Sequence, residues 1–268
     1  MRAPGNAAKG ASGWKPIHDP DGFYSSGIPD FDRLLGGGFA RGSLALFSLD
    51  ESVGLDDLDL LLFPTYLNFL YQSRGMIAVL PARDSPHAFR ARLTQFATRR
   101  RFDSRVRVVD YVGEDEGLSY VVNIPGSRPD PYQKSRSVKE TRKAIGQMEE
   151  AERAVQGGRK NPFIELTAFE VFDTLMGTEK ALKMFYYGVK RARLLGNLAI
   201  GLLGPGVGCA AGIRRMADSE FALRRDEVGL LIRGLHPSST TFLVTPDRAS
   251  GHPHVAFVPR PPGEEPRR

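Results

Sequence analysis

Apolar residues recur along the chain in two rhythms. Short continuous runs at 43–48, 76–80, 106–111, 163–167 and 198–203 read as strands buried on both faces, as the strands of a parallel sheet must be. Longer segments with helical spacing lie between them. Segment 85–100 opens with Ser85 as N-cap and Pro86 at the first helical position. Ser137 and Glu140 form a capping box for a helix to about residue 156, whose apolar stripe of Val138, Ile145, Met148 and Val155 is too narrow for deep burial. Segment 178–195 ends at Gly196-Asn197, with Lys190, Arg191 and Arg193 near its C-terminus. From Asp218 on, short alternating runs predict antiparallel strands. Together they predict an α/β fold: a mostly parallel central sheet flanked by helices, with antiparallel C-terminal edge strands.

The first long strand raises a chemical question. It leads through a loop into a long apolar helix, the frame in which a triphosphate is held on backbone N–H groups and a helix N-terminus. The loop that does this reads G-x-x-x-x-G-K-[ST]. Here it reads Leu49-Asp50-Glu51-Ser52-Val53-Gly54-Leu55-Asp56. Counted from the strand, the Gly-Lys-Thr end falls on Gly54, Leu55 and Asp56. Counted from the helix, it falls on Leu61, Leu62 and Phe63. Pro64 favours the second count, because proline suits the start of a helix and not its middle. That count implies a lengthened loop. Neither supplies the lysine for the phosphates or the hydroxyl for Mg²⁺.

The segment YSSGIPDFDRLLGGGFARGSLALFS (24–48) resembles the entry to the RecA-like domain of KaiC-type ATPases, and matches to later segments follow in order. FLYQSRGMIAVLPARDSP resembles the segment that carries the carboxylate pair orienting the attacking water, PFIELTAFEVF the Walker B strand, and VKRARLLGNLAIGLL the helix and strand after it. The resemblance spans roughly residues 22–258. Archaeal KaiC-like proteins, including GvpD-type gas-vesicle regulators, are the nearest relatives it suggests, with ImuA-type accessory proteins second. It implies a RecA/KaiC-like P-loop NTPase fold over 21–258, between disordered tails at 1–20 and 259–268. It also implies three degenerate catalytic positions. The carboxylate pair becomes Arg83-Asp84, and a guanidinium accepts no proton. The Walker B aspartate becomes Glu165, one methylene longer, followed by Leu166. Gly54, Asp56 and Asp57 form what remains of the phosphate loop.

Charge points the same way. Asp50, Glu51, Asp56, Asp57 and Asp59 crowd the place of a polyanion. Two unit charges about 5 Å apart interact by about 3 kcal/mol at an effective dielectric near 20. Losing the lysine and gaining one such repulsion costs about 3–5 kcal/mol, or two to four decades of affinity. Metal binding by these carboxylates is not expected, because helix N-termini attract carboxylates without any ion. The pI near 9.5 invites a nucleic-acid reading, but the two tails carry half of the formal net charge of +6. The Arg99-Arg100-Arg101 run reads as a solvated helix end. Cys209, the single cysteine, excludes an internal disulfide and, with no apolar leader or membrane-length run, points to a cytoplasmic protein off the membrane. It reads as a small buried hydrophobe. His252-Pro253-His254 has no acidic or thiol partner nearby.

The reading is a pseudo-ATPase without a cofactor, acting as a regulatory or structural partner in a protein assembly, as a homo- or hetero-oligomer. The alternatives are an ATP- and Mg-binding switch with an atypical lengthened loop, and a RecA-like DNA-repair accessory protein.

Overall fold

A computed structural model describes residues 14–111, 118–124, 138–156, 161–247 and 254–260 of the chain. In chain order the elements are β1 (Phe23–Tyr24), α1 (Pro29–Leu34), β2 (Phe39–Ala40), β3 (Leu44–Leu49), α2 (Leu55–Tyr71), β4 (Gly75–Val79), α3 (Pro86–Leu93), α4 (Arg99–Arg105), β5 (Val106–Asp110) and β6 (Val121–Asn123). Then come α5 (Val138–Gln156), β7 (Phe163–Ala168), α6 (Phe169–Met176), α7 (Thr178–Leu195), β8 (Leu198–Leu203), α8 (Ala210–Arg214), β9 (Ser219–Arg225), β10 (Leu230–His236), β11 (Ser238–Asp247) and β12 (His254–Pro259). Ten strands form one sheet in the order β12-β11-β10-β9-β3-β8-β7-β4-β5-β6. From β9 to β6 every neighbouring pair is parallel; β9-β10, β10-β11 and β11-β12 are antiparallel. β9 is thus not an edge strand. It pairs with β3 in parallel and starts the antiparallel run on its other side.

The sheet is covered on both faces, which is why its strands read as unbroken apolar runs. One face packs on α2 through Phe47, Ala78, Leu166 and Ile200; the other packs on α5, α6 and α7 through Leu46, Ile77, Val79 and Phe163. No helix among the described residues is long and apolar enough to cross a membrane.

Three local expectations change. Segment 85–100 is not one helix. Ser85 caps α3 through the Ala88 N–H, and Thr98 caps a separate α4 through the Arg101 N–H, both at 3.2 Å. The arginine run therefore opens α4, with Arg101 lying 3.9 Å over the Tyr71 ring. Second, α5 docks more closely than its stripe implied. Val155 and Ala151 are buried, because Gly75 of β4 has no side chain: a Cβ there would stand 2.5 Å from both Val155 Cβ and Val155 O. Its capping box and the start of its stripe lie outside the described side chains. Third, residues 14–20 are tied down, against the disordered tail expected there. Trp14 is buried, the Ile17 N–H donates to Asn68 Oδ1 at 2.8 Å, and Asp19 pairs with Arg74. Residues 1–13 and 261–268 lie outside the described residues.

The close approach at Gly75 predicts a pair of opposite outcomes. Gly75→Ala costs about 1–3 kcal/mol by overpacking. Gly146→Ala, where a Cβ meets nothing within 4 Å, stabilises α5 by about 0.5–1 kcal/mol. Urea denaturation of both variants checks the signs.

Candidate functional site

The loop between β3 and α2 has five residues, Asp50 to Gly54. The helix starts at Leu55 with Gly54 as N-cap, so the count from the strand is the one the fold adopts, and the loop is not lengthened. Pro64 lies deep inside α2. Gly27 packs against it so closely that a Cβ there would stand 2.5 Å from the Pro64 carbonyl oxygen. Next to it, the Thr65 hydroxyl donates to the Ser26 carbonyl at 2.8 Å. The chain entering the domain thus packs on the turn where proline interrupts the helical bonding.

Within the loop, backbone donors already have acceptors. The Asp50 N–H donates to the Leu223 carbonyl of β9 at 2.9 Å, and the Val53 N–H to the Asp50 carbonyl at 3.1 Å. The Ser52 N–H donates to Asp50 Oδ1 at 3.0 Å, and the Gly54 N–H to Asp57 Oδ2 at 2.9 Å. The Ser52 hydroxyl donates to Asp50 Oδ1 at 2.6 Å while accepting from the Arg225 N–H at 2.9 Å. Arg225 also pairs with Asp57, which is buried. Val53 is 1% exposed, so the loop is folded onto the sheet end.

Arg83 and Asp84 belong to the same construction. Arg83 Nη2 donates to the Val53 carbonyl at 2.8 Å, closing the loop from the β4 side. Both oxygens of Asp84 accept from Arg92 of α3, at 3.0 and 2.7 Å, and Arg92 also pairs with Asp59 of α2. Burial pushes the Asp59 carboxyl up to about 6, against the pull of Arg92. The recess between Leu55, Asp59, Asp84 and Leu166 has about 20 Å³ of space, enough for about one water. The carboxylates therefore divide. Asp57, Asp59 and Asp84 hold arginines, whereas Asp50, Glu51 and Asp56 are exposed. Among the described residues no group of three His, Cys, Asp or Glu is placed to hold a metal.

Glu165 is elsewhere. In β7 it pairs with Ala199 of β8, which pairs with Leu44, the first residue of β3. The loop begins six residues further on, about 20 Å along the strands at 3.3 Å per residue. Its side chain also faces the α5–α7 side, like its neighbour Ile77, whereas the β7 residue bordering the recess is Leu166. Glu165 is thus off the site that the resemblance implied, by side of the sheet and by level. It accepts from Asn197 Nδ2 at 2.6 Å; Asn197 Oδ1 in turn accepts from the Phe163 N–H. Burial lifts the Glu165 carboxyl to about 7; the Asn197 bond opposes this, Glu152 adds to it and Arg191 opposes it. Cys209 is buried, and burial raises its thiol, so it is a poor nucleophile. Residues 252 and 253 lie outside the described residues. Sequence reading missed Arg92, Arg225 and Asn197, whose partners are remote in the chain and leave no local spacing to detect.

Comparison with known proteins follows the same lines. A family model described as GvpD basic region 2 matches residues 13–184. The chain is 23% identical over 253 residues to protein GvpD2 of Halobacterium salinarum, covering 91% of this chain and 48% of that protein. It is 33% identical over 104 residues to protein GvpD1 of the same organism, covering 38% of this chain and 19% of that protein. The chain thus spans at most about half the length of these curated relatives. Among solved structures, a KaiC-like protein of Pyrococcus horikoshii matches with a TM-score of 0.55 at 15% identity, over 91% of this chain and 100% of that one. An uncharacterized protein of the same organism, solved with an unknown peptide, matches with a TM-score of 0.61 at 15% identity, over 88% and 99%. The fold is KaiC-like.

Raising a buried carboxyl stabilises the fold only while the carboxyl is protonated. For Glu165 that stability is complete below the ordinary value of 4.5 and is lost as pH rises through about 7. Glu165→Gln keeps an acceptor for Asn197 and removes the titration. It should gain about 3 kcal/mol over the parent at pH 8 relative to pH 4.5, read from urea midpoints across that range.

Proposed function

We propose, from the premise that the chain belongs to the GvpD basic region 2 family, that it uses the KaiC-like fold as a scaffold without nucleotide chemistry, as a regulatory or structural partner in a protein assembly. One observation carries this reading: four of the five loop N–H groups, those of Asp50, Ser52, Val53 and Gly54, already donate within the protein. A phosphate binds such a loop through those donors. Here it would have to displace Asp50 and Asp57, two carboxylates, from them. Arg83, where the resemblance expects a carboxylate, holds the loop shut through the Val53 carbonyl. On the α2 side β7 presents Leu166 and, by alternation, Ala168, so it offers no carboxylate to a metal there. Gly54, Asp56 and Asp57 are on this reading a helix start and no longer a phosphate site.

A partner role is supported by α7, where Tyr187 is 70% and Leu194 85% exposed, a heptad apart on one face. Nucleic acid is less well supported. Nine arginines, including Arg74, Arg90, Arg92 and Arg225, are in ion pairs with the protein's own carboxylates.

Two experiments test the reading. Calorimetry with Mg·ATP at pH 7 should give no dissociation constant below about 10 μM, which is about −6.8 kcal/mol. The double variant Leu55→Lys, Asp56→Thr should not cross that limit either, because the loop donors remain occupied. Tight binding by the native chain sinks the proposal; tight binding by the double variant alone shows that the missing lysine, and not the closed loop, excludes the nucleotide. Light scattering should find a species larger than the 29.5 kDa chain, or affinity capture from the host should recover a partner. A clean monomer at high concentration with nothing recovered refutes the assembly role.

A further inference from the structure

An unexplained feature lies on the sheet face away from the loop. A cavity of about 680 Å³ opens between β4 and β7 on one side and α5, α6 and α7 on the other. That volume is in the range of small-molecule sites. Its wall is mostly apolar, and three of the chain's six methionines, Met148, Met176 and Met184, line it with Phe163 and Phe185. Methionine walls adapt to the shape of what they hold. Gly188 of α7 is part of the wall, and a Cβ there would meet nothing within 4 Å.

The charged groups on this wall are unequal. Glu149 and Glu152 come from α5, Glu165 from β7, and Arg191 from α7 is the one cation among the described lining residues. Arg191 is bonded through both terminal nitrogens to the carboxylate of Glu152. Glu165 is left with the Asn197 amide on one oxygen. A carboxyl in an apolar wall, with no cation bonded to it among the described residues, suits a ligand that brings a positive charge and an apolar body.

We propose that this cavity binds a small apolar monoamine, its ammonium on the Glu165 carboxylate and its hydrocarbon or aromatic body against Met148, Met176 and Met184. The elevated carboxyl fits this, because an ammonium beside Glu165 returns it to the ionised form that burial disfavours. The proposal does not depend on the fate of the loop on the opposite face of the sheet.

The test uses the full chain labelled with ¹³C at the methionine methyls, titrated with hexylamine, 1-hexanol and hexanoate as probes of equal length. Hexylamine should shift the signals of Met148, Met176 and Met184 and leave Met76, in the α2-side core, unmoved. Hexanol should bind at least tenfold more weakly and hexanoate more weakly still. Glu165→Gln should erase the preference for amine over alcohol while alcohol binding persists, which shows that the cavity is still formed. Gly188→Leu, which projects into the cavity from a helix that gains by losing a glycine, should abolish binding of both without lowering the melting temperature. Equal binding of amine and alcohol, an amine preference that survives Glu165→Gln, or no methionine shift with hexylamine up to tens of millimolar would overturn the proposal.

Discussion

A loop that joins a buried strand to a helix must find acceptors for its N–H groups, because a buried donor without one costs about 1–3 kcal/mol. In a phosphate-binding loop the ligand meets that demand. In this chain the demand is met from within: Asp50 and Asp57 turn their carboxylates onto the loop and the helix start, and Leu223 offers a carbonyl from β9. The neighbouring contacts follow from this choice. Three carboxylates at the end of the sheet, Asp57, Asp59 and Asp84, call for cations. Arg225 answers Asp57 from β9, and Arg92 answers Asp59 and Asp84 from α3. Arg83 completes the arrangement by donating to the Val53 carbonyl from the β4 side.

The sheet was legible in the sequence because parallel strands covered on both sides must be apolar at every position, as in 198–203. The same property concealed the site. When both faces of a strand are apolar, the run gives no sign of which residue faces which side, and Glu165 was placed by its likeness to a motif. The register with Ile77 and Ala199 puts it on the other face. Pro64 misled for a related reason. Its rule is local, and the exception is tertiary: Gly27, thirty-seven residues earlier, supplies the space against the proline turn. Segment 85–100 read as one helix because its apolar spacing continues across the break at Gln95–Ala97, where Thr98 begins a new cap. The loop reads as degenerate in the sequence because phosphate chemistry depends on residue types, lysine and hydroxyl, that are absent in either count.

The alternation along β7 divides the molecule's chemistry. Leu166 faces α2 and closes the recess where a metal would stand, while Glu165 faces α5 and α7 and brings a carboxyl to an apolar cavity. Adjacent residues thus serve opposite faces about 10 Å of protein apart. A substitution on one face leaves the other nearly untouched. That independence lets the two faces of a KaiC-like fold change separately.

The closed loop also carries a thermodynamic consequence. A protein that binds nucleotide at a hundred times its dissociation constant gains about 2.7 kcal/mol of stability from the ligand. On the reading proposed above, a chain whose loop holds none has to find comparable stability in itself. Hydrogen bonds to charged groups contribute about 1.5–3 kcal/mol each when partly buried, and the loop end has three arginine links of this kind: Arg83 to Val53, Arg225 to Asp57, and Arg92 to Asp84. Any one is of the size of the missing ligand term. On that reading Arg83 has both parts: it stands where the resemblance expects a carboxylate, and it makes one of these links. A carboxylate in place of Arg83 would break that link before a nucleotide could compensate for it.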